Sequence, residues 1–112
     1  GQYSLRMHSS GNISCFVVPM NDIDNYQLEF LVRGKVQSRF AIASHQYDGQ
    51  GKYAGFKVLT ELKIFSGDTF SYQLRIDKKD FLPQTAKFNL CFLLRQGEIY
   101  LDEVSLIPVR HE

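Results

Sequence analysis

Apolar and polar residues alternate along most of the chain. Leu28, Phe30 and Val32 are separated by single residues, as are Phe40 and Ile42, and Phe88, Leu90 and Phe92. A period of two puts successive side chains on opposite faces of an extended backbone, the signature of strands with one buried face. The pattern predicts strands over residues 2–7, 13–18, 26–33, 36–44, 53–59, 62–65 running on into 69–76, 87–94 and 98–107, each rich in Val, Ile, Phe or Tyr. Turn chemistry separates them at Ser9-Ser10-Gly11-Asn12, Asn21 to Asn25, Arg33-Gly34-Lys35, Asp48-Gly49-Gln50-Gly51, Ser66-Gly67-Asp68 and Arg95-Gln96-Gly97. Gly34 and Gly97 each join two alternating runs, and both read as hairpin turns. A single turn of helix is expected at 77–82, before Pro83.

About eight short strands with turns at this spacing predict an all-β, antiparallel β-sandwich or barrel. With 112 residues and 44% hydrophobic content, the chain fits one domain over 1–112 with a real core. Thirteen basic and twelve acidic residues are dispersed to a net charge of +1, which offers no field for a polyanion. Lys78-Lys79 is the sole basic pair and Asp80 follows it, so nucleic acid is not an expected partner. No apolar run is long enough to cross a membrane as a helix, and no basic-then-apolar leader opens the chain.

The last strand carries Asp102-Glu103 in the middle of an apolar run. Strict alternation places Ile99, Leu101 and Glu103 on one face and Tyr100, Asp102, Val104 and Leu106 on the other. Asp102 is then an inward or edge acid that needs a hydrogen-bonded backbone, a base or a cation, while Glu103 is solvated. Two acids on opposite faces of a strand cannot serve as a glycosidase pair. His8, His45 and His111 are far apart, and no nucleophile elbow or Cys-His pairing is present, so no catalytic role is expected. Cys15 and Cys91 lie in separate apolar runs, without CxxC spacing, and read as two buried thiols or a disulfide. Asn12-Ile13-Ser14 fits a glycosylation acceptor.

The segments Gly1-Gln2-Tyr3-Ser4-Leu5, Tyr26 to Gly34, Tyr47 to Tyr53 and, above all, Ile99-Tyr100-Leu101-Asp102-Glu103-Val104-Ser105-Leu106 resemble carbohydrate-binding modules of the galactose-binding-like jelly-roll superfamily. The resemblance implies a jelly roll acting as a non-catalytic module that targets a polysaccharide-active protein to its glycan. It implies a secreted, cell-surface or periplasmic setting, with oligo- or polysaccharide and other domains of a parent enzyme as partners. Such modules usually begin with a further strand ahead of the Gly-x-Tyr-Ser-Leu segment, so a first strand is expected to be missing here. In the family, the aspartate at the position of Asp102 helps ligate a structural calcium together with backbone carbonyls and a carboxylate from that first strand. The same family topology would bring Cys15 and Cys91 onto adjacent strands.

In this topology the strands around Cys15, Arg39, Lys57 and Cys91 form the sheet whose concave face binds sugar. With Phe40 and Ile42 inward, Gln37, Arg39, Ala41 and Ala43 face out; with Phe88, Leu90 and Phe92 inward, Asn89, Cys91, Leu93 and Arg95 do. Ala41 and Ala43 would leave room for a ligand, and Arg39, Asn89 and Arg95 could hydrogen-bond its hydroxyls. The chain has no tryptophan, so stacking falls to Tyr47 and Tyr53, which flank the Gly-rich loop and combine an apolar ring with a hydroxyl. Tyr3, Tyr26, Tyr72 and Tyr100 read as packing residues. The alternative function is a structural or protein–protein interaction sandwich of a larger secreted protein, distinguished by whether the outward face is a groove with exposed tyrosines or a flat apolar patch.

Overall fold

Strand pairing follows the alternation. The computed structural model describes residues 3–8, 11–19, 25–34, 36–65, 67 and 69–109, with side chains from Asn25 onward. Its strands are β1 (Tyr3–His8), β2 (Gly11–Pro19), β3 (Asn25–Gly34), β4 (Ser38–Tyr47), β5 (Tyr53–Ile64), β6 (Thr69–Asp77), β7 (Lys87–Gln96) and β8 (Glu98–Val109), with a short 3-10 turn at Lys78–Asp80. They form two four-stranded sheets, sheet I in the order β1-β8-β3-β6 and sheet II in the order β2-β7-β4-β5. All pairs are antiparallel. The chain changes sheet at every connection except β4–β5, which gives the jelly-roll sandwich.

The core is the seam between the sheets. Tyr26, Leu28, Phe30 and Val32 of β3 meet Phe40 and Ile42 of β4, Phe88, Leu90, Phe92 and Leu94 of β7, and Ile99, Leu101 and Val104 of β8. Its rings pack edge to face, with Phe30 5.5 Å from Phe92 and Tyr26 5.4 Å from Phe88, in the geometry that aromatic quadrupoles favour. These inward residues are the ones the alternation predicts on β3, β4 and β7.

Three expectations change. Gly34 and Gly97 do not close hairpins, because β3 and β4, like β7 and β8, belong to opposite sheets. A Cβ on Gly34 would approach the Val36 carbonyl and Ile64 to about 3 Å, and Gly97 has φ +92 with its Hα side facing Ser38 and the Gln37 carbonyl. Both glycines serve sharp sheet-to-sheet crossings rather than two-residue turns. The fully buried Ser38 binds the two crossings together: its Oγ accepts from the Glu98 N–H at 3.0 Å and lies 2.8 Å from the Val36 carbonyl oxygen. Residues 62–64 continue β5 instead of opening β6, since Leu62 and Ile64 stay paired with Phe40 and Ser38 and the chain reverses at Gly67 (φ +88).

The third change concerns the last strand. Register slips in both pairings of β8 around Asp102 and Glu103, and Glu103 adopts φ 52, the left-handed region. A bulge of this kind inserts one residue and resets the parity, so Val104 joins Ile99 and Leu101 in the core while Asp102 and Glu103 are both exposed. Asp102 is therefore not an inward acid, nor does it lie on an edge strand; its Oδ1 accepts from the Glu103 N–H at 2.8 Å, supporting the bulge. Tyr100 likewise faces outward, beneath the Arg33 guanidinium at 4.8 Å, rather than packing in the core. Tyr26 is a core residue and Tyr72 packs against the core; the side chain of Tyr3 lies outside the described residues. The expected helical turn is present at Lys78–Asp80.

Candidate functional site

The outward face of sheet II collects every sequence-predicted ligand residue, ordered in rows by strand register. Tyr53, Tyr47 and Lys87 form the first row across β5, β4 and β7, and Phe56, His45 and Asn89 the second. Val58, Ala43 and Cys91 form the third, Glu61, Ala41 and Leu93 the fourth, and Lys63, Arg39 and Gln96 the last, with Arg95 beside it. Alternate residues of a strand lie roughly 6.6 Å apart, so about 20 Å separates Arg39 from His45. Tyr47, Tyr53 and Asn89 are thus brought together at one end of the face, and Arg39 and Arg95 at the other.

The first end is aromatic. The rings of Tyr47 and Tyr53 lie 5.6 Å apart, and His45 sits 4.9 Å from Phe56 and 5.8 Å from Tyr53. His45 Nδ1 and the Tyr53 hydroxyl are 3.3 Å apart, within hydrogen-bond reach, and the Lys87 ammonium lies 5.8 Å from the centre of the Tyr47 ring. Tyr53 is 56% and Phe56 47% exposed, large apolar areas left in water beside the donors of Asn89 and Lys87. Phe56 and His45 were missed in the sequence. Their signal was the pairing of β4 with β5, which only the observed hairpin register supplies.

This end is held rigidly. The loop between the two tyrosines is tied by Asp48, whose Oδ1 accepts from the N–H groups of Gln50 and Lys52, both at 2.9 Å. Behind the rings, the buried Gln46 clamps segment 78–86 to β4. Its Nε2 donates to the Asp80 carbonyl at 3.1 Å, and its Oε1 accepts from the Leu82 N–H at 2.9 Å and the Thr85 hydroxyl at 2.8 Å. The Ala86 N–H donates to the Tyr47 carbonyl at 2.8 Å, and Asp80 pairs with Lys57 at 3.0 Å.

The middle of the face differs from expectation. Ala41 and Ala43 do point outward, yet both are fully buried in a second apolar cluster with Cys91 and Leu93. Over Ala41, Arg95 of β7 reaches across β4 to Glu61 of β5, with Nε and Oε1 3.4 Å apart. The floor at Ala41 and Ala43 is therefore closed and not open. Cys91 pairs in register with Ser14 of β2, beside the slip between Ser14 and Phe16; the side chains of Cys15 and of Asn12-Ile13-Ser14 lie outside the described residues, and so does the disulfide expectation.

The other end is basic. Arg39, Lys63 and Arg95, with Glu61 and the strand residues Phe40 and Leu62, line a cavity of about 460 Å³. Arg39 and Lys63 are directly opposite in the β4–β5 register, and among the described residues neither has a carboxylate within ion-pair distance. Asp102, to which the resemblance assigns a calcium role, lies on sheet I, away from this face. Among the described residues no group of three or more His, Cys, Asp or Glu side chains gathers there or elsewhere.

No protein-family model matches the chain, and no curated protein matches it in sequence. Solved structures share its fold. The CBM22-1 xylan-binding domain of Paenibacillus barcinonensis Xyn10C superposes with a TM-score of 0.60 at 12% identity, covering 80% of this chain and 58% of that one. The enzymatically active domain of tailspike protein 4 from bacteriophage CBA120 gives 0.65 at 15% identity, covering 96% of this chain and 15% of that one. An infectious bursal disease virus Gt strain structure gives 0.62 at 11%, covering 95% of this chain and 30% of that one. The antiparallel sandwich is thereby shared with sugar-binding modules and with segments of larger viral proteins. The chain spans 58% or less of each of these neighbours.

Proposed function

We propose that this domain is a non-catalytic carbohydrate-binding module that holds a glycan on the outward face of sheet II. The observation that carries the reading is the ring cluster of Tyr47, Tyr53, Phe56 and His45 beside Asn89 and Lys87. Sugar rings present C–H faces that stack on aromatics and hydroxyls that need donors and acceptors, and this end of the face offers both. A protein-docking surface would favour a flat apolar patch, whereas here each exposed ring has a polar neighbour. The xylan-binding neighbour with the same fold supports the reading, as does the separation of Asp102-Glu103 and His45 on different sheets, which leaves no acid–base pair between them. The domain would act by proximity, attached to a polysaccharide-active parent protein outside the cell. No helix of the described residues is long and apolar enough to cross a membrane.

Affinity electrophoresis through gels containing soluble xylan, β-glucan, mannan and bacterial polysaccharides tests the reading. Retardation by at least one neutral glycan is expected. A lost aromatic contact is worth about 0.5–1.5 kcal/mol, so Tyr53→Ala and Phe56→Ala should each weaken binding roughly 2- to 12-fold without loss of folding. Unretarded migration of the unaltered domain in every gel, or binding unchanged in both variants, would refute it.

A further inference from the structure

We infer that the basic cavity at the far end of sheet II is a second subsite for the carboxylate of an acidic sugar, making the preferred ligand a uronate-containing polysaccharide. The inference rests on the glycan-binding reading above. Three cations, Arg39, Lys63 and Arg95, and a single acid, Glu61, surround a cavity of about 460 Å³. Arg95 already engages Glu61 at 3.4 Å, which leaves Arg39 and Lys63 as the pair with no carboxylate partner among the described residues. Like charges directly opposite on neighbouring strands are destabilising, and Arg39 and Lys63 are both exposed. A bound anion would relieve that repulsion.

The chemistry fits a carboxylate. Arg39 offers a planar fork of donors that matches a carboxylate in two parallel hydrogen bonds, and Lys63 adds a mobile point charge from the facing strand. The chain as a whole carries a net charge of +1. The cavity is thus a local concentration of charge instead of part of a broad basic field, which suits a ligand with a discrete acid substituent better than a continuous phosphate backbone. The aromatic cluster lies on the same face about 20 Å away along β4, so one extended glycan can reach both ends.

The experiment compares polygalacturonate, its methyl-esterified form, dextran sulfate, single-stranded DNA and the best neutral glycan, titrated into the intact domain at low and high salt. Polygalacturonate should bind more tightly than its ester and weaken as salt rises. Arg39→Ala and Lys63→Glu should each reduce polygalacturonate affinity roughly tenfold, the scale of a charge-assisted hydrogen bond, and Lys63→Glu should leave neutral-glycan binding within twofold. Lys63→Glu should also raise the melting temperature, because it turns a repulsive cross-strand pair into an attractive one; this separates lost recognition from lost folding. Neutral-glycan binding with no preference for the acid form, or with polygalacturonate affinity unchanged in both variants, would overturn the subsite and leave the glycan reading standing. Equal or tighter binding of dextran sulfate or DNA would overturn the carboxylate assignment. Failure of every glycan to bind would overturn both.

Discussion

The two ends of one sheet face are built on the same three strands and differ in how their side chains are balanced. At the aromatic end, rings contact rings and the polar groups behind them are paired: Gln46 alone serves Asp80, Leu82 and Thr85. At the basic end, Arg39 confronts Lys63 with no carboxylate between them among the described residues. The first end is stabilised by its own contacts and presents a preformed surface. The second leaves electrostatic repulsion standing, which costs stability and gains a place for an anion. Stability and recognition coincide at one end and oppose each other at the other.

The largest test of that contrast removes the support of the aromatic end. Gln46→Leu keeps the side-chain volume but strips partners from the Leu82 N–H, the Asp80 carbonyl and the Thr85 hydroxyl. An unmet buried polar group costs about 1–3 kcal/mol, and some of these groups will recover water, so a loss of about 3 kcal/mol is expected in urea unfolding. Neutral-glycan binding should fall with it, because segment 78–86 meets Tyr47 through the Ala86 N–H. A loss below 1 kcal/mol would show that the clamp is not what holds this end.

The corresponding change behind the basic end is Gly97→Ala. Gly97 has φ +92, and an added Cβ would run into Ser38, the residue that ties the two sheet crossings together. A non-glycine residue in such a conformation costs roughly 1–3 kcal/mol, so about 2 kcal/mol should be lost. Acidic-glycan binding should suffer more than neutral, since Ser38 precedes Arg39 on β4. Equal loss of both would mean that the two ends do not respond separately.

How far these ends were legible in the sequence follows from what alternation can and cannot encode. The inward residues of β3, β4 and β7 and the outward placement of Arg39, Asn89 and Arg95 all follow from a period of two, which needs no tertiary information. The last strand did not follow, because the bulge at Glu103 shifts every later side chain by one face and nothing in Asp102-Glu103 signals a positive φ. Gly34 and Gly97 were misread for a related reason. A glycine between two alternating runs marks a reversal equally well within one sheet or between two, and only the packing of the core decides which. Phe56 and His45 meet because the β4–β5 register pairs them, and that register depends on further slips near Ile42 and Gln46. Charge composition hid the basic end entirely, since a balanced total says nothing about where three cations converge.

The smallest test concerns Glu61, the acid that lines the basic end. Its pair with Arg95 is long at 3.4 Å, and both side chains are largely exposed, at 64% and 46%. Exposed pairs of this kind contribute about 0–1 kcal/mol, so Glu61→Gln should move the unfolding midpoint by less than that, while the shape of the bridge over Ala41 is kept. Its effect on binding has the opposite sign. Removing the only negative charge that lines the cavity among the described residues releases Arg95 toward a ligand, and polygalacturonate should bind about threefold more tightly at low salt, with the gain vanishing as salt rises. Neutral-glycan binding at the aromatic end should not change, because about 20 Å of strand exceeds the Debye length of about 8 Å at physiological ionic strength. A gain shared by neutral and acidic glycans would mean that Glu61 acts through the shape of the face and not through its charge, and the contrast between the two ends would then lose its electrostatic basis.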